Sequence, residues 1–266
     1  MPGVMEDGPM TSLEAALTVL VGLVAGVLSG LFGVGGGIVM TPGLTALSGL
    51  APLVAVATPL PVILPTAMVG AFTYHRAGEV DLRAAAWISM TGAAASAAGA
   101  LLTEVVNARA LLLVTAGLLA WQSIQILRGR SRPTAEAAAS IPAVALALVG
   151  VVAGLLSGLL GIGGGLIIVP ALAGMLRMPL KRTLGTSLVA VVVLVIPGTI
   201  VHAALGNLDW TAALFLVAGS LPGARLGATV ALGTREQTLR TLVGTFLAIV
   251  ALAYGIQQAA ELVSSR

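Results

Sequence analysis

The sequence contains no cysteine, two histidines, and only 9% charged and 3% aromatic residues. The absence of cysteine excludes disulfides, thiolate chemistry and iron–sulfur clusters. Since a soluble domain carries roughly 25% charged residues, this chain lacks the polar side chains that a water-facing surface needs. No acidic residue stands in the middle of an apolar stretch, so the paired carboxylates or metal ligands of an intramembrane enzyme are missing. We therefore expect no enzyme, no cofactor and no metal site.

What the sequence has instead is long apolar stretches, with 58% hydrophobic residues and a mean hydropathy of +1.08. Each stretch is close to the roughly 20 residues that a membrane-spanning helix needs, and the apolar residues run continuously instead of alternating. The predicted spans are 13–32, 53–74, 84–102, 108–127, 141–160, 184–203, 211–232 and 238–260. The sequence thus predicts an all-α integral membrane protein. Its net charge of +3 is expected from basic loops that orient such a protein, and it does not indicate a nucleic-acid partner.

The chain repeats itself at an offset of 128 residues. The segment "SGLFGVGGGIVMTPGL" begins at Ser29 and "SGLLGIGGGLIIVPAL" begins at Ser157. Of the 25 residues in 20–44, 16 are identical to their partners in 148–172. We predict two homologous halves with an N-terminal tail at 1–11, a first repeat at 12–130, a linker at 131–140 and a second repeat at 141–266. The tail has no basic residue, so it is not expected to be a signal peptide.

Loop charges indicate how the halves are oriented. A short apolar stretch follows each glycine motif, at 36–50 and 164–176. If these stretches cross the membrane, there are ten crossings and the second half is inverted; if they dip in and return, there are eight and the halves are parallel. With ten crossings, the even-numbered loops and termini hold only Arg109 and Arg266. The odd-numbered loops hold Arg76, Arg83, Arg128, Arg130, Arg132, Arg177, Lys181, Arg182, Arg235 and Arg240.

Because basic residues accumulate on the cytoplasmic side, this distribution favours ten crossings over eight, which give no bias. The sequence therefore predicts inverted-topology repeats, about ten membrane segments including two short glycine-interrupted ones, and both termini outside the cytoplasm.

Runs of glycine interrupt one helix in each half. The glycines are Gly33, Gly35, Gly36 and Gly37 in the first half, and Gly161, Gly163, Gly164 and Gly165 in the second. Each glycine costs a helix up to about 1 kcal/mol relative to alanine, so we expect a helix end near Phe32 and a new short helix from about Gly36. Its unpaired amides and positive dipole end would favour an anion where the two breaks meet near the midplane. Ser29 and Ser157, one turn before each break, would add hydroxyl donors.

Close helix packing is the alternative use of glycine in a membrane. The spacing of Gly26, Gly30, Gly154 and Gly158 favours packing. A helix seam does not need three consecutive glycines, so the triplets Gly35–Gly37 and Gly163–Gly165 favour an irregular, functional segment.

The doubled glycine motif resembles the signature of the TauE/SafE family of membrane transporters, also called the sulfite exporter or TSUP family. Further similar segments are "RTLGTSL" at 182–188, "PGTIVHAALGNLDW" at 197–210 and "PGARLGATVA" at 222–231. The resemblance implies an anion transporter of the bacterial inner membrane for sulfite, sulfonates or related organosulfur anions. The segment "VATPLPVILPTA" at 56–67 departs from the Gly-Thr-Ser stretch that the family often has there, which leaves Thr58 as the counterpart of Thr186 and Ser187.

Several other polar residues are candidates for the site. Arg225 lies within an apolar stretch and suits an oxoanion, or else its side chain extends to the membrane interface. Thr58, Thr186 and Ser187 stand at helix starts, where their hydroxyls would bind an anion or cap the helix. His75 and His202 end related helices and would carry a coupling proton or be merely interfacial.

Together these features predict a secondary transporter of small sulfur-containing oxoanions that works by alternating access at a midplane site. Its expected partners are a small anionic substrate, the lipid bilayer and coupling protons, with oligomerisation left open. The alternative is a passive anion channel or the membrane subunit of a larger complex.

Overall fold

The computed structural model describes residues 11–48, 50, 52–102, 120, 123–124 and 141–264, and within these ranges every regular element is a helix. In the first half they are α1 (Ser12–Phe32), α2 (Gly37–Ser48), α3 (Pro52–Ala57), α4 (Pro59–Arg76) and α5 (Leu82–Leu102). In the second half they are α6 (Ala143–Leu160), α7 (Gly165–Pro170), α8 (Leu180–Ala204), α9 (Trp210–Gly233) and α10 (Glu236–Ser264), with a π-helical turn at Ala171–Met175 after α7. The predicted all-α class is confirmed for these residues.

Six segments in the described part are helical, long and apolar enough to cross a membrane. They are Ser12–Phe32, Leu53–Arg76, Leu82–Leu102, Ala143–Leu160, Leu180–Ala204 and Trp210–Gly233, which match six of the eight predicted spans. Apart from residues 120 and 123–124, the predicted span 108–127 lies outside the described residues, and the predicted span 238–260 lies within α10.

The predicted span 53–74 contains a discontinuity. It consists of α3 and α4, with Thr58 as a turn between them and Pro59 as the first residue of α4. Proline lacks an amide hydrogen and its ring clashes with the preceding turn, so the helix is interrupted just before it. The equivalent segment in the second half, α8, has no proline at that point and is continuous over 25 residues.

Two glycine seams join the halves. In the first, the Cα atoms of α1 glycines lie against carbonyl oxygens of α9, in the pairs Gly22–Leu216, Gly26–Ser220 and Gly30–Ala224. In the second, α6 glycines lie against α5 carbonyls in the pairs Gly150–Ile88, Gly154–Gly92 and Gly158–Ser96, each related to the first set by the 128-residue offset. The paired numbers rise together, so the two helices of each seam are parallel. A side chain at any of these glycines would overlap the facing backbone, which confirms the packing role expected for Gly26, Gly30, Gly154 and Gly158.

Helices α4 and α8 occupy equivalent places in the two halves and run antiparallel to each other. Thr58, just before α4, contacts Asp209, just after α8, whereas Tyr74 near the end of α4 contacts Gly185 near the start of α8. Ile63 and Val191, an equivalent pair near the middle of these helices, are both fully buried. The centre of the bundle therefore lies between corresponding residues of the two halves.

The two ends of the bundle differ in charge. The basic end, as we call it, is formed by the last residues of α4 and α9 and the first residues of α5, α8 and α10. Contacts tie these termini together, since Lys181 Nζ donates to the Leu232 carbonyl at 2.6 Å and Arg182 pairs with Asp81. Of the basic residues in the described part, the basic end holds Arg76, Arg83, Arg177, Lys181, Arg182, Arg235 and Arg240. We call the other end the Asp209 end, and no described residue there is a lysine or an arginine.

Replacing Gly154 by alanine should destabilise the bundle, because the new Cβ would overlap the Gly92 carbonyl in the α5–α6 seam. We expect a cost of about 1–3 kcal/mol, seen as an apparent melting temperature about 2–10 °C lower in detergent.

The matched control is Gly233→Ala, since a Cβ at Gly233 meets no atom within 4 Å. Equal melting temperatures for the two variants would show that the seam does not require glycine.

Candidate functional site

Helices α1 and α6 each end at a glycine in the left-handed conformation. Gly33 has φ 70° and donates its N–H to the Ser29 carbonyl at 2.8 Å. Gly161 has φ 65° and donates to the Ser157 carbonyl at 2.9 Å. A Cβ is disfavoured at such φ values, so the residue type determines where each helix stops. The predicted helix end near Phe32 is confirmed.

Two more left-handed glycines in each break lead into the next helix. Gly35 and Gly36 both have φ 87°, and Gly163 and Gly164 have φ 83° and 76°. Helix α2 then begins at Gly37, next to the position predicted from the sequence, and α7 begins at the corresponding position in the second half. The consecutive glycines therefore form an irregular segment, and not one turn of a continuous helix.

The two breaks contact each other at the centre of the bundle. A Cβ placed on Gly37 would lie 2.9 Å from the Gly161 carbonyl oxygen, and the equivalent Gly165 lies against the Gly33 carbonyl. The first residue of each short helix thus faces the carbonyl that ends the long helix of the other half. This arrangement brings amides with partial positive charge next to a carbonyl with partial negative charge.

Apolar side chains cover the contact between the breaks. A Cβ at Gly35 would lie 3.0 Å from Ile63 Cγ2 and 3.3 Å from Val191 Cγ1, and the same two side chains face Gly163. Because Ile63 and Val191 come from the antiparallel pair α4 and α8, movement of either helix would change the space at the breaks.

Two serine hydroxyls beside the breaks are buried without a partner. Ser29 and Ser157 are both 0% exposed, and neither Oγ atom has a hydrogen-bond partner among the described residues. Ser187, by contrast, donates its hydroxyl to the Gly33 carbonyl at 2.9 Å. A buried hydroxyl without a partner is costly, so its retention points to a ligand or to a second conformation that satisfies it.

Thr58 and Thr186 link the halves at opposite ends of the bundle. Thr186 Oγ1 accepts the Asp81 N–H at 2.8 Å, and Thr58 Oγ1 accepts the Asp209 N–H at 3.0 Å. Each aspartate also caps its own helix, since Asp81 Oδ1 accepts from Ala84 N and Asp209 Oδ1 from Ala212 N. In this conformation both threonine hydroxyls are engaged in contacts between halves and do not line the breaks.

The remaining candidates lie away from the breaks. Arg225 is exposed on the outer face of α9, beside exposed Leu226, while its neighbour Ala224 faces α1. His75 is exposed at the basic end. His202 is 1% exposed and lies beside the Gly158 backbone, but neither ring nitrogen has a partner at hydrogen-bond geometry among the described residues. The structure therefore brings the glycines and serines together and leaves Arg225 and His75 apart from them.

The sequence analysis does not predict the polar contacts between distant residues, and three of those in the described part are named here. Thr66 and Ser220 hydroxyls lie 2.6 Å apart in the core, and Tyr74 donates its hydroxyl to the Gly30 carbonyl at 3.0 Å. The third is the ion pair of Arg182 with Asp81. The occurrence of an aspartate at matched positions in the two halves, Asp81 and Asp209, is the one sequence signal for this ion pair, but it does not identify Arg182 as the partner.

These features define a class of protein: a multi-pass helical membrane protein in which two homologous halves meet at paired helix breaks. The family described as sulfite exporter TauE/SafE matches residues 18–254, so the chain belongs to this family. The chain is 30% identical over 251 residues to a probable membrane transporter protein of Xylella fastidiosa (strain 9a5c), covering 93% of this chain and 95% of that one.

Two other relatives carry the same kind of name. The probable membrane transporter protein YunE of Bacillus subtilis (strain 168) is 29% identical, with 92% of this chain and 97% of the relative covered. A probable membrane transporter protein of Methanocaldococcus jannaschii is 26% identical, with 89% and 93% covered. No solved structure matches the chain. The family match and these relatives together identify the protein as a membrane transporter of this family and not an enzyme.

Thr186→Val should destabilise the protein by about 1–3 kcal/mol, because it removes the acceptor of the part-buried Asp81 N–H and leaves that donor unpaired. Thermal unfolding in detergent would measure the loss.

Thr199→Val is the matched control, since the Thr199 hydroxyl donates only to the Val195 carbonyl of its own helix. A loss of stability as large for Thr199→Val as for Thr186→Val would contradict a specific role for the contact between halves.

Proposed function

We propose that the chain is a secondary transporter of small sulfur-containing oxoanions, such as sulfite or sulfonates, that works by alternating access at the paired glycine breaks. The observation that carries the proposal is the central contact of the two breaks, with a buried, unpartnered serine hydroxyl beside each one. The family name supplies the substrate class, since sulfite is a small oxoanion.

The chemistry at the breaks suits an anion that enters when the halves separate. In the closed arrangement, Gly37 and Gly165 at the starts of the short helices face the Gly161 and Gly33 carbonyls. Once separated, the free amides at each helix start and the hydroxyls of Ser29 and Ser157 would donate to an oxoanion. Thr58, Thr186 and Ser187 would be released from their present contacts by the same movement. Arg225 and His75 have no part in the site we propose.

An inverted-topology repeat accounts for the way the halves meet. Equivalent helices α4 and α8 run antiparallel. Each glycine seam packs a helix of one half against a helix of the other, and the 128-residue offset relates the two seams. Such repeats allow one half to rock against the other around a fixed central site. With ten membrane segments, the positive-inside rule would place the basic end in the cytoplasm of a bacterial inner membrane and both termini outside it.

The test of the site is transport by purified protein in liposomes, with radiolabelled sulfite and a small alkyl sulfonate as substrates. Ser29→Ala and Ser157→Ala should each raise KM about tenfold or more, because each removes a hydrogen bond to a charged ligand. The melting temperature should not fall, since neither hydroxyl has a partner in the described part of the chain. Gly36→Leu and Gly164→Leu should abolish transport, because leucine strains both left-handed positions.

Ser89→Ala on α5 is the control, and it should leave KM unchanged. An unchanged KM in both break variants, Ser29→Ala and Ser157→Ala, would rule out the proposed site. Flux that rises linearly with substrate and never saturates would indicate a passive channel instead.

We further propose that His202 carries a coupling proton, since it is buried and both of its ring nitrogens lack a partner. Its counterpart Tyr74 is bonded to the Gly30 carbonyl, so the two halves differ at this point. His202→Gln should keep transport down a substrate gradient but remove its stimulation by a pH gradient. The exposed His75 gives the control His75→Gln, and stimulation that survives in His202→Gln would exclude His202 as the proton carrier.

A further inference from the structure

Asp81 is the point where the two halves are tied together at the basic end. Its carboxylate Oδ2 accepts a hydrogen bond from Arg182 Nη2 at 3.2 Å, and Arg182 belongs to the other half. Its Oδ1 caps α5, and its N–H donates to Thr186, one turn after Arg182 on the same helix. The side chains are 33% (Arg182) and 13% (Asp81) exposed, so the ion pair is partly shielded from solvent.

The Asp209 end has the same contacts except for the ion pair. Asp209 caps α9 through Oδ1, and its N–H donates to Thr58. The residue 128 positions before Arg182 is Val54, which has no charge to offer Asp209. Within the described part of the chain, the two ends therefore carry matched hydrogen bonds, but an ion pair between the halves is found only at the basic end.

The helix at the basic end is continuous, whereas the equivalent segment at the Asp209 end is interrupted. Arg182 and Thr186 lie on the continuous helix α8, and Gly185 between them packs closely against the Glu79 carbonyl. At the Asp209 end, Val54 lies on the six-residue α3, which is separated from α4 by the turn at Thr58. A short, separate helix can shift without bending a long one, so fewer contacts have to be broken for the Asp209 end to open.

We propose that the ion pair of Arg182 with Asp81 is a one-sided latch that holds the basic end closed and biases the transporter towards opening at the Asp209 end. The inference rests on the alternating access proposed above. The guanidinium bridges two halves that must separate for the basic end to open, whereas opening of the Asp209 end breaks no ion pair among the described residues. Arg182 acts here as a positioning residue, through the equilibrium between the two open forms.

The natural chain has no cysteine, so single cysteines can report opening without a modified background. Ala57→Cys reports on the Asp209 end and Thr183→Cys on the basic end, because both native residues are 0% exposed. Right-side-out and inverted membrane vesicles would be labelled with a membrane-impermeant maleimide. With the latch intact, we expect faster labelling of Ala57→Cys than of Thr183→Cys. Each rate is measured from the side of the membrane that the corresponding end of the bundle faces.

Arg182→Gln should lower the ratio of the two labelling rates about two- to fivefold, since it removes one ion pair from the closed basic end. Val54→Arg should also lower this ratio, because it offers Asp209 the partner that Asp81 already has and so holds the Asp209 end closed. Combining the two substitutions should reverse the wild-type preference. Arg182→Lys should lower the ratio less than Arg182→Gln does, since it keeps the positive charge.

Arg240→Gln is the matched control, because Arg240 pairs with Glu236 at 3.3 Å within α10 and joins no separate elements. It should leave the ratio unchanged. Labelling that responds to substrate but is the same in Arg182→Gln, Val54→Arg and the parent would overturn the latch while leaving alternating access standing. Simultaneous labelling of both cysteines in every variant, without response to substrate, would overturn the proposed function itself and the latch with it.

Discussion

A backbone that lies within a bilayer has to find its hydrogen-bond and electrostatic partners inside the protein, because lipid offers none. This chain interrupts two of its helices, at Gly33 and Gly161, and so creates free amides and carbonyls in the middle of the molecule. Each break lies against the other, with the start of a short helix facing the terminal carbonyl of a long one. Each half therefore supplies the groups that face the break of the other half.

Glycine makes that assembly geometrically possible. The seams of α1 with α9 and of α5 with α6 bring backbone against backbone, at distances where any side chain would overlap a carbonyl. Each glycine weakens its own helix by up to about 1 kcal/mol, and close packing between helices offsets this cost. Because each seam joins a helix of one half to a helix of the other, the seams position the breaks and also couple the halves mechanically.

The backbones of the two halves correspond closely, but their side chains differ at selected positions. Thr66 and Ser220 share a hydrogen bond, whereas their counterparts, Leu194 and Gly92, make an apolar contact. The Tyr74 hydroxyl makes a hydrogen bond, whereas its counterpart His202 has no such partner. Arg182 forms an ion pair with Asp81, whereas its counterpart Val54 offers no charge to Asp209. A symmetric backbone can present the same site to either side of a membrane. In the function we propose, the side-chain differences are the places where direction and coupling enter.

The amino-acid sequence by itself determined the helical class, the duplication, the helix ends at the glycines and the small-residue seams. These features depend on local properties: apolar length, a constant offset, and a φ angle that only glycine adopts readily. Tertiary structure alone decided which polar residues meet. The Arg182–Asp81 ion pair spans 101 residues and the Thr66–Ser220 contact spans 154, and no local pattern encodes such partners. It also decided that Arg225 faces outward, because the side of a helix that is buried depends on which neighbour packs against it.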